Sequence, residues 1–166
     1  MSFSGGWPIQ KPMSGSGTRA GAQSEKLAIT HRMEVLARVP LFAGLAKRQM
    51  RAMARACSSY RWPADSVIVI EGSTDHSCFI IVEGTAEVRK GGHLIAQVGP
   101  GEIFGEIALL DPGPRSATVT TATEVLAVEL SRTEFLDVAA GDPQILLRML
   151  ESLARRLRET TEKLGY

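Results

Sequence analysis

Aromatic residues make up only 5% of this 166-residue chain, and cysteine occurs twice, at Cys57 and Cys78. The two thiols form no CxxC and have no histidine companion, which excludes a disulfide scaffold or a zinc ribbon and predicts reduced cysteines. No run approaches the roughly 18–20 apolar residues of a membrane-spanning helix. Net charge is almost absent at +1, so no global field draws the chain toward nucleic acid or lipid. The three histidines, His31, His76 and His93, are scattered without HxH or HxxxH spacing, which argues against the clustered ligands of a metal-dependent cupin. What remains, 44% hydrophobic and 22% charged residues, is the composition of one ordinary soluble globular domain. A domain of this size buries about two thirds of its unfolded surface and needs no covalent staples.

The charge that is present is unevenly spread. Residues 1–60 carry 9 Lys+Arg against 2 Asp+Glu, a net of +7, and residues 61–166 carry 10 against 16, a net of −6. The cations concentrate at Lys47, Arg48, Arg51 and Arg55. Such a row fits a docking face for an acidic partner, or for an acidic part of the same molecule; it also fits a solvated helix face.

Residues 1–24 are rich in Gly and Ser and read as a flexible leader, with Trp7 an oddity within it. The leader lacks the basic-then-apolar order of a secretory signal, which predicts a cytoplasmic location. From Ser24, read as a cap, helical spacing runs through Leu27, Ala28, Met33, Leu36 and Ala37 until Pro40 stops it. A second helix is predicted over about 45–57, with Leu45, Met50, Met53 and Ala54 on its core side. From Tyr60 the period becomes that of strands: 66–71, 78–83, 86–89, 93–98, 116–122 and 125–130, punctuated by glycines at 72, 84, 91, 92, 99 and 101. Evenly spaced short strands predict an antiparallel barrel or jelly roll. Ser131-Arg132-Thr133-Glu134 is a capping box for a short helix. Asp142-Pro143 opens a last helix to about Leu164, with Leu146, Met149 or Leu150, Leu153, Leu157 and Leu164 along one side.

One segment, 100–118, is too long for a hairpin between two strands. Gly105 permits a tight entry, and Glu106–Leu110 is long enough for one helical turn whose first N–H groups form an anion site. Leu109 and Leu110 read as core. Pro112-Gly113-Pro114 turns the chain so that Arg115 returns to the same place, where its planar fork suits two phosphate oxygens. A lone carboxylate, Glu106, at the mouth of an anion site would repel the anion, unless its task is to accept hydrogen bonds from a sugar hydroxyl.

The stretch 104–118, FGEIALLDPGPRSAT, resembles the phosphate-binding cassette of cyclic nucleotide-binding domains, the family of the bacterial catabolite activator and of cAMP-dependent kinase regulatory subunits. The resemblance extends over about residues 25–164, including Pro40-Leu41-Phe42 and the glycines at 72, 84, 101 and 105. It implies that Arg115 pairs with the cyclic phosphate and Glu106 with the ribose 2′-hydroxyl. It also implies that Gly105, Ile107 and Ala108 offer backbone contacts and that Ser116 adds an N–H or hydroxyl to the phosphate. Ser116-Ala117 is closer to the cAMP group of the family than to the cGMP group, with cGMP left open as a ligand.

The expectation is therefore a mostly β protein with flanking helices: an antiparallel, jelly-roll-like β roll over about 60–130, N-terminal helices, a short phosphate-binding helix and C-terminal helices over about 131–164. The leader would end at residue 24 and the cyclic nucleotide-binding domain occupy 25–166. The expected function is that of a non-catalytic cAMP sensor, without cofactor or metal, in which the 104–118 cassette moves the last helix against an effector not identifiable from the sequence. A phosphodiesterase reading fails because Glu106 lacks an evident acid–base mate. The chain shows no helix-turn-helix after its last helix, so no nucleic-acid contact is expected of it. Arg155 or Arg156 would stack on the base, or simply be solvated. The leucine row of the last helix predicts either packing on its own roll or a homodimer seam, and the alternative function is a ligand-free dimerisation scaffold of the same fold.

Overall fold

Short β-branched runs separated by glycine turns build two antiparallel sheets, as seen in a computed structural model that describes residues 19–165. The leader over 1–18, with Trp7, lies outside the described residues. The elements in order are β1 (Gln23–Ser24), α1 (Ile29–Ala37), α2 (Lys47–Ala56), β2 (Ser58–Trp62), β3 (Val67–Val69), β4 (Ser77–Glu83), β5 (Ala86–Lys90), β6 (His93–Val98), β7 (Ile103–Phe104), α3 (Ile107–Leu110), β8 (Thr118–Thr121), β9 (Val125–Ser131), α4 (Arg132–Gly141) and α5 (Gln144–Lys163). One sheet has the order β1-β2-β9-β4-β7 and the other β3-β8-β5-β6, so the roll is an open pair of sheets rather than a closed barrel.

The five-stranded sheet is buried on both faces, which explains why β4 and β9 are apolar almost throughout. Successive side chains of a strand point to opposite faces. Cys78, Ile80, Val128 and Leu130 pack beneath the helices with Leu36, Phe42, Met53, Phe135 and Met149. Phe79, Ile81 and Ala127 point the other way, joining Trp62, Ile68, Ala86 and Val119 between the sheets. Each fully buried large side chain contributes about 1.5–3 kcal/mol, and the layers run four-stranded sheet, five-stranded sheet, helices.

Several local expectations shift. Ser24 is not a helix cap: it pairs with Tyr60 as part of β1, and Glu25 N–H reaches Ser59 O at 3.0 Å, so α1 begins only at Ile29. The last leader residues are thus bound to the roll, with Arg19 3.3 Å from the buried Glu129. Leu110, read as core, is partly exposed, whereas Leu109 is fully buried. In α5 the inward residues are Ile145, Met149 and Ser152; Leu146, Leu150, Leu157 and Leu164 face away from the roll. The capping box at Ser131 is formed as expected, Glu134 N–H donating to Ser131 Oγ at 3.2 Å. Asp142 Oδ1 accepts from Gln144 N–H at the start of α5. No helix among the described residues is long and apolar enough to cross a membrane.

Candidate functional site

The cassette is suspended between two anchors. Upstream, β7 pairs Phe104 with Phe79 of β4, and their rings stack at 5.2 Å. Downstream, Arg115 is tied by its backbone to the β3–β4 loop: its N–H donates to Ser73 O at 2.8 Å, and its carbonyl accepts from Gly72 N–H at 2.8 Å. Between the anchors, Gly105 takes φ +77°, a left-handed conformation that side chains penalise. A Cβ there would lie 2.8 Å from Ser77 O and 3.4 Å from Arg115 Cζ. The glycine is required because the guanidinium of Arg115 lies directly against its backbone.

Arg115 is buried, with its side chain 6% exposed, and pairs with Asp75 while also donating to Ser77 O. Its Nε is buried and has no partner among the described residues, so one N–H of the donor fork is unused. Asp75 escaped the sequence analysis: an acid in a glycine- and serine-rich loop, 40 positions from Arg115, has no local signal, and only the pairing of 72–73 with Arg115 brings it near. Burial and these partners fix the guanidinium in place, so the cost of ordering it is already met within the fold.

Glu106 stands at the start of the α3 turn. Burial raises its pKa above the ordinary carboxylate value, and the positive charge of Arg156 on α5 acts in the opposite direction. Its Oε2 is buried without a hydrogen-bond partner among the described residues. A desolvated acceptor of this kind is costly unless something donates to it. Within the turn, Ala108 N–H reaches Gly105 O at 3.2 Å and Leu109 N–H reaches Glu106 O at 3.1 Å, so these two are engaged and the start of the turn carries the remaining N–H groups. Ile107 is 71% exposed over the site and Ser116 is exposed beside Arg115.

Of the residues read from the sequence, Gly105 and Arg115 are therefore in contact, with Ser116 adjacent in the chain, and Glu106, Ile107 and Ala108 form the turn beside them. Arg156 joins the site electrostatically from α5. It also lines a groove of about 400 Å³ between the Pro40–Gly44 loop and α5, together with Arg155, Ser152 and Glu159. The 40–44 loop is fixed against α5 by Arg148 donating to Gly44 O at 3.1 Å. Neither Glu106 nor Arg115 lines that groove, and Arg156 is the residue it shares with the surroundings of the cassette.

Comparison with known proteins fits this geometry. The family model of the cyclic nucleotide-binding domain matches residues 59–142, half of the chain. A CRP-like cAMP-activated global transcriptional regulator of Mycobacterium tuberculosis is 32% identical over 137 residues, covering 80% of this chain and 61% of that protein. A cAMP-dependent protein kinase regulatory subunit of Neurospora crassa is 34% identical over 125 residues, covering 74% of this chain and 30% of that protein. The chain thus spans about three fifths of the regulator and a smaller part of the kinase subunit. Among solved structures, the N-terminal domain of a transcriptional regulator from Streptomyces coelicolor superposes with TM-score 0.71 at 32% identity, covering 78% of this chain and 94% of that one. The regulatory domain of Toxoplasma gondii PKA, solved with cAMP, gives TM-score 0.64 at 28% identity, covering 69% of this chain and 46% of that one. The chain belongs to the cyclic nucleotide-binding domain family.

Proposed function

We propose that the chain from about residue 19 onward, β1 included, forms a non-catalytic, cytoplasmic cAMP sensor in which ligand binding at 104–118 changes the position of α5. The observation that carries this is a donor and an acceptor left incomplete on one short segment: Arg115, buried against Gly105 with an unused Nε, and Glu106, with a desolvated Oε2 that has no donor. A cyclic nucleotide supplies the complement of both, an anionic phosphate and a ribose hydroxyl. On this reading Arg115 and Ser116 hold the phosphate, Glu106 accepts from the 2′-hydroxyl, and the backbone of Gly105, Ile107 and Ala108 completes the cradle. Ala108 would contribute by sharing or releasing its bond to Gly105 O. Regulation without catalysis accords with the relatives, whose names are those of a transcriptional regulator and a kinase regulatory subunit.

The link to α5 is Arg156, whose charge already acts on Glu106. A ligand hydrogen bond to Glu106 alters what Arg156 faces, and with it the balance that holds α5 against the 40–44 loop. A specific observation favours a second property, homodimerisation: Leu150, Leu157 and Leu164 recur every seven residues and are 61%, 68% and 70% exposed. With Leu146 they present an apolar row suited to the seam of a two-stranded coiled coil, while Leu153 is half-buried against the protein's own core. The effector and any nucleic-acid contact are left to other chains or segments.

Calorimetric titration with cAMP and cGMP tests the sensor. Binding at micromolar strength or tighter is expected for the wild type, with cAMP preferred. Arg115→Ala removes a bidentate charge-assisted contact at roughly 1.5–3 kcal/mol per bond, so affinity falls about a hundredfold or more. Arg115→Lys keeps the charge against Asp75 but not the fork, and controls for folding. No binding heat from a folded wild-type sample would refute the proposal. A sizing column run with and without nucleotide then separates the sensor from a ligand-indifferent dimer scaffold.

A further inference from the structure

Helix α2 is built against its own interest. Its sequence, KRQMRAMARA, holds four cations and no acid, and Lys47, Arg48, Arg51 and Arg55 are all exposed. Lys47 and Arg48 occupy the first turn, at the positive end of the helix dipole, where cations are unfavourable. Its N-cap is Ala46, which offers no side-chain acceptor. Lys47, Arg51 and Arg55 follow one another at intervals of four, the spacing at which like charges on a helix repel. Among the described residues only Arg48 of the four has an ion-pair partner, Asp142 at 3.3 Å. The helix is held instead by its other face: Gln49, Met50, Met53 and Ala54 are buried, and Gln49 donates to Asp142 at 3.1 Å. Neutral residues on the outer face would fold more easily, so the charge points to something outside the chain.

We propose that the Lys47–Arg51–Arg55 row is a docking face for an acidic helical segment of a partner protein. Residues four apart rise about 6 Å along a helix. A partner helix with Asp or Glu at the same interval therefore presents its carboxylates at the spacing of the three cations and relieves their repulsion and the clash of Lys47 with the dipole, Arg55 being favourably placed in the last turn. The rest of the molecule disfavours an extended polyanion such as nucleic acid. The cationic row is about 12 Å long, about one and a half Debye lengths at physiological salt, while residues 61–166 carry a net of −6. A short acidic helix matches the row in length, whereas a duplex extends well beyond it. This docking face is independent of the nucleotide site.

The test is fluorescence anisotropy on the full chain with a labelled synthetic helical peptide bearing Glu at every fourth position in an Ala/Gln background. A peptide of the same composition in scrambled order and a mixed-sequence DNA duplex serve as comparisons. The regularly spaced peptide is expected to bind at least about tenfold more tightly than the scrambled one, more weakly as salt rises from roughly 50 to 300 mM. Lys47→Gln/Arg51→Gln should weaken it by about tenfold, with the melting temperature unchanged or raised. Equal affinity for both peptides, tighter binding of the duplex, no binding at low salt, or a melting temperature lowered by the double substitution would each overturn the proposal.

Discussion

Replacing Gly105 by alanine is the sharpest probe of how the site is constructed. The residue sits at φ +77°, which costs a side-chain-bearing residue about 1–2 kcal/mol. The new methyl would also lie 2.8 Å from Ser77 O, closer than such contacts normally come, and against the Arg115 guanidinium. Ser77 belongs to β4, buried in the middle layer, and does not yield readily. The turn or the guanidinium must move, adding about 1 kcal/mol or more. The expected destabilisation is about 2–3 kcal/mol, or roughly 5–10 °C in melting temperature for a chain of this size. Because the displaced groups are Arg115 and Glu106, cAMP affinity should fall by at least about tenfold, the equivalent of one weakened charge-assisted hydrogen bond. Gly92 is the control: its φ is +80°, but nothing lies within 4 Å of an added Cβ. Gly92→Ala should therefore incur the conformational cost alone, about 1–2 kcal/mol, and bind nucleotide as wild type does. Thermal melts and calorimetry on both variants decide the matter. Equal destabilisation of the two, with nucleotide affinity intact in Gly105→Ala, would refute the idea that Arg115 requires a bare backbone beside it.

Glu106→Gln tests the desolvated carboxylate. A carboxyl whose folded pKa is raised gives stability that is complete below its unfolded pKa and is lost as pH rises through the folded pKa. The variant should therefore melt at or above the wild-type temperature at neutral pH and lack this part of the decline above about pH 4.5, while binding cAMP at least about tenfold more weakly; a less stable variant with wild-type affinity would contradict the assignment. Burial pushes the Cys57 thiol up to about 12 and that of Cys78 higher still, so a thiol reagent at pH 8 should label neither in the native chain and both in denaturant, and prompt native labelling of either would place it outside the core. Leu150→Glu/Leu157→Glu puts charges in the exposed α5 row and should convert a dimer to a monomer at micromolar concentration by analytical ultracentrifugation without lowering the melting temperature of the monomer; a large loss of monomer stability would mean that the row packs on its own roll.

The elements that announce themselves locally were legible in the sequence. β-branched runs fixed β4, β5, β6, β8 and β9 to within a residue or two, and the Ser131 capping box is a short-range pattern that acts wherever the chain provides it. The short strands were not, because β1 and β7 are two residues long and exist only through their partners β2 and β4. Ser24 illustrates the competition: its local chemistry favours a helix cap, but pairing with Tyr60 satisfies the backbone instead. The same limit governs α5. Its leucine spacing marks an apolar side, but the side turned to the roll is set by where α4 delivers the chain, and that side carries Ile145, Met149 and Ser152.

At the candidate site the sequence by itself singled out Gly105, Glu106, Arg115 and the turn between them, because close backbone approach, a lone acid and a forked cation all lie within 15 residues. Only the tertiary structure decided their state. The pairing of residues 72–73 with Arg115 brings Asp75 to the guanidinium, β4 supplies the Ser77 carbonyl, and α5 sets Arg156 where its charge acts on Glu106. Burial, charge pairing and the left-over hydrogen-bonding capacity of Glu106 Oε2 and Arg115 Nε depend on atoms distant in the sequence, and no local pattern encodes them.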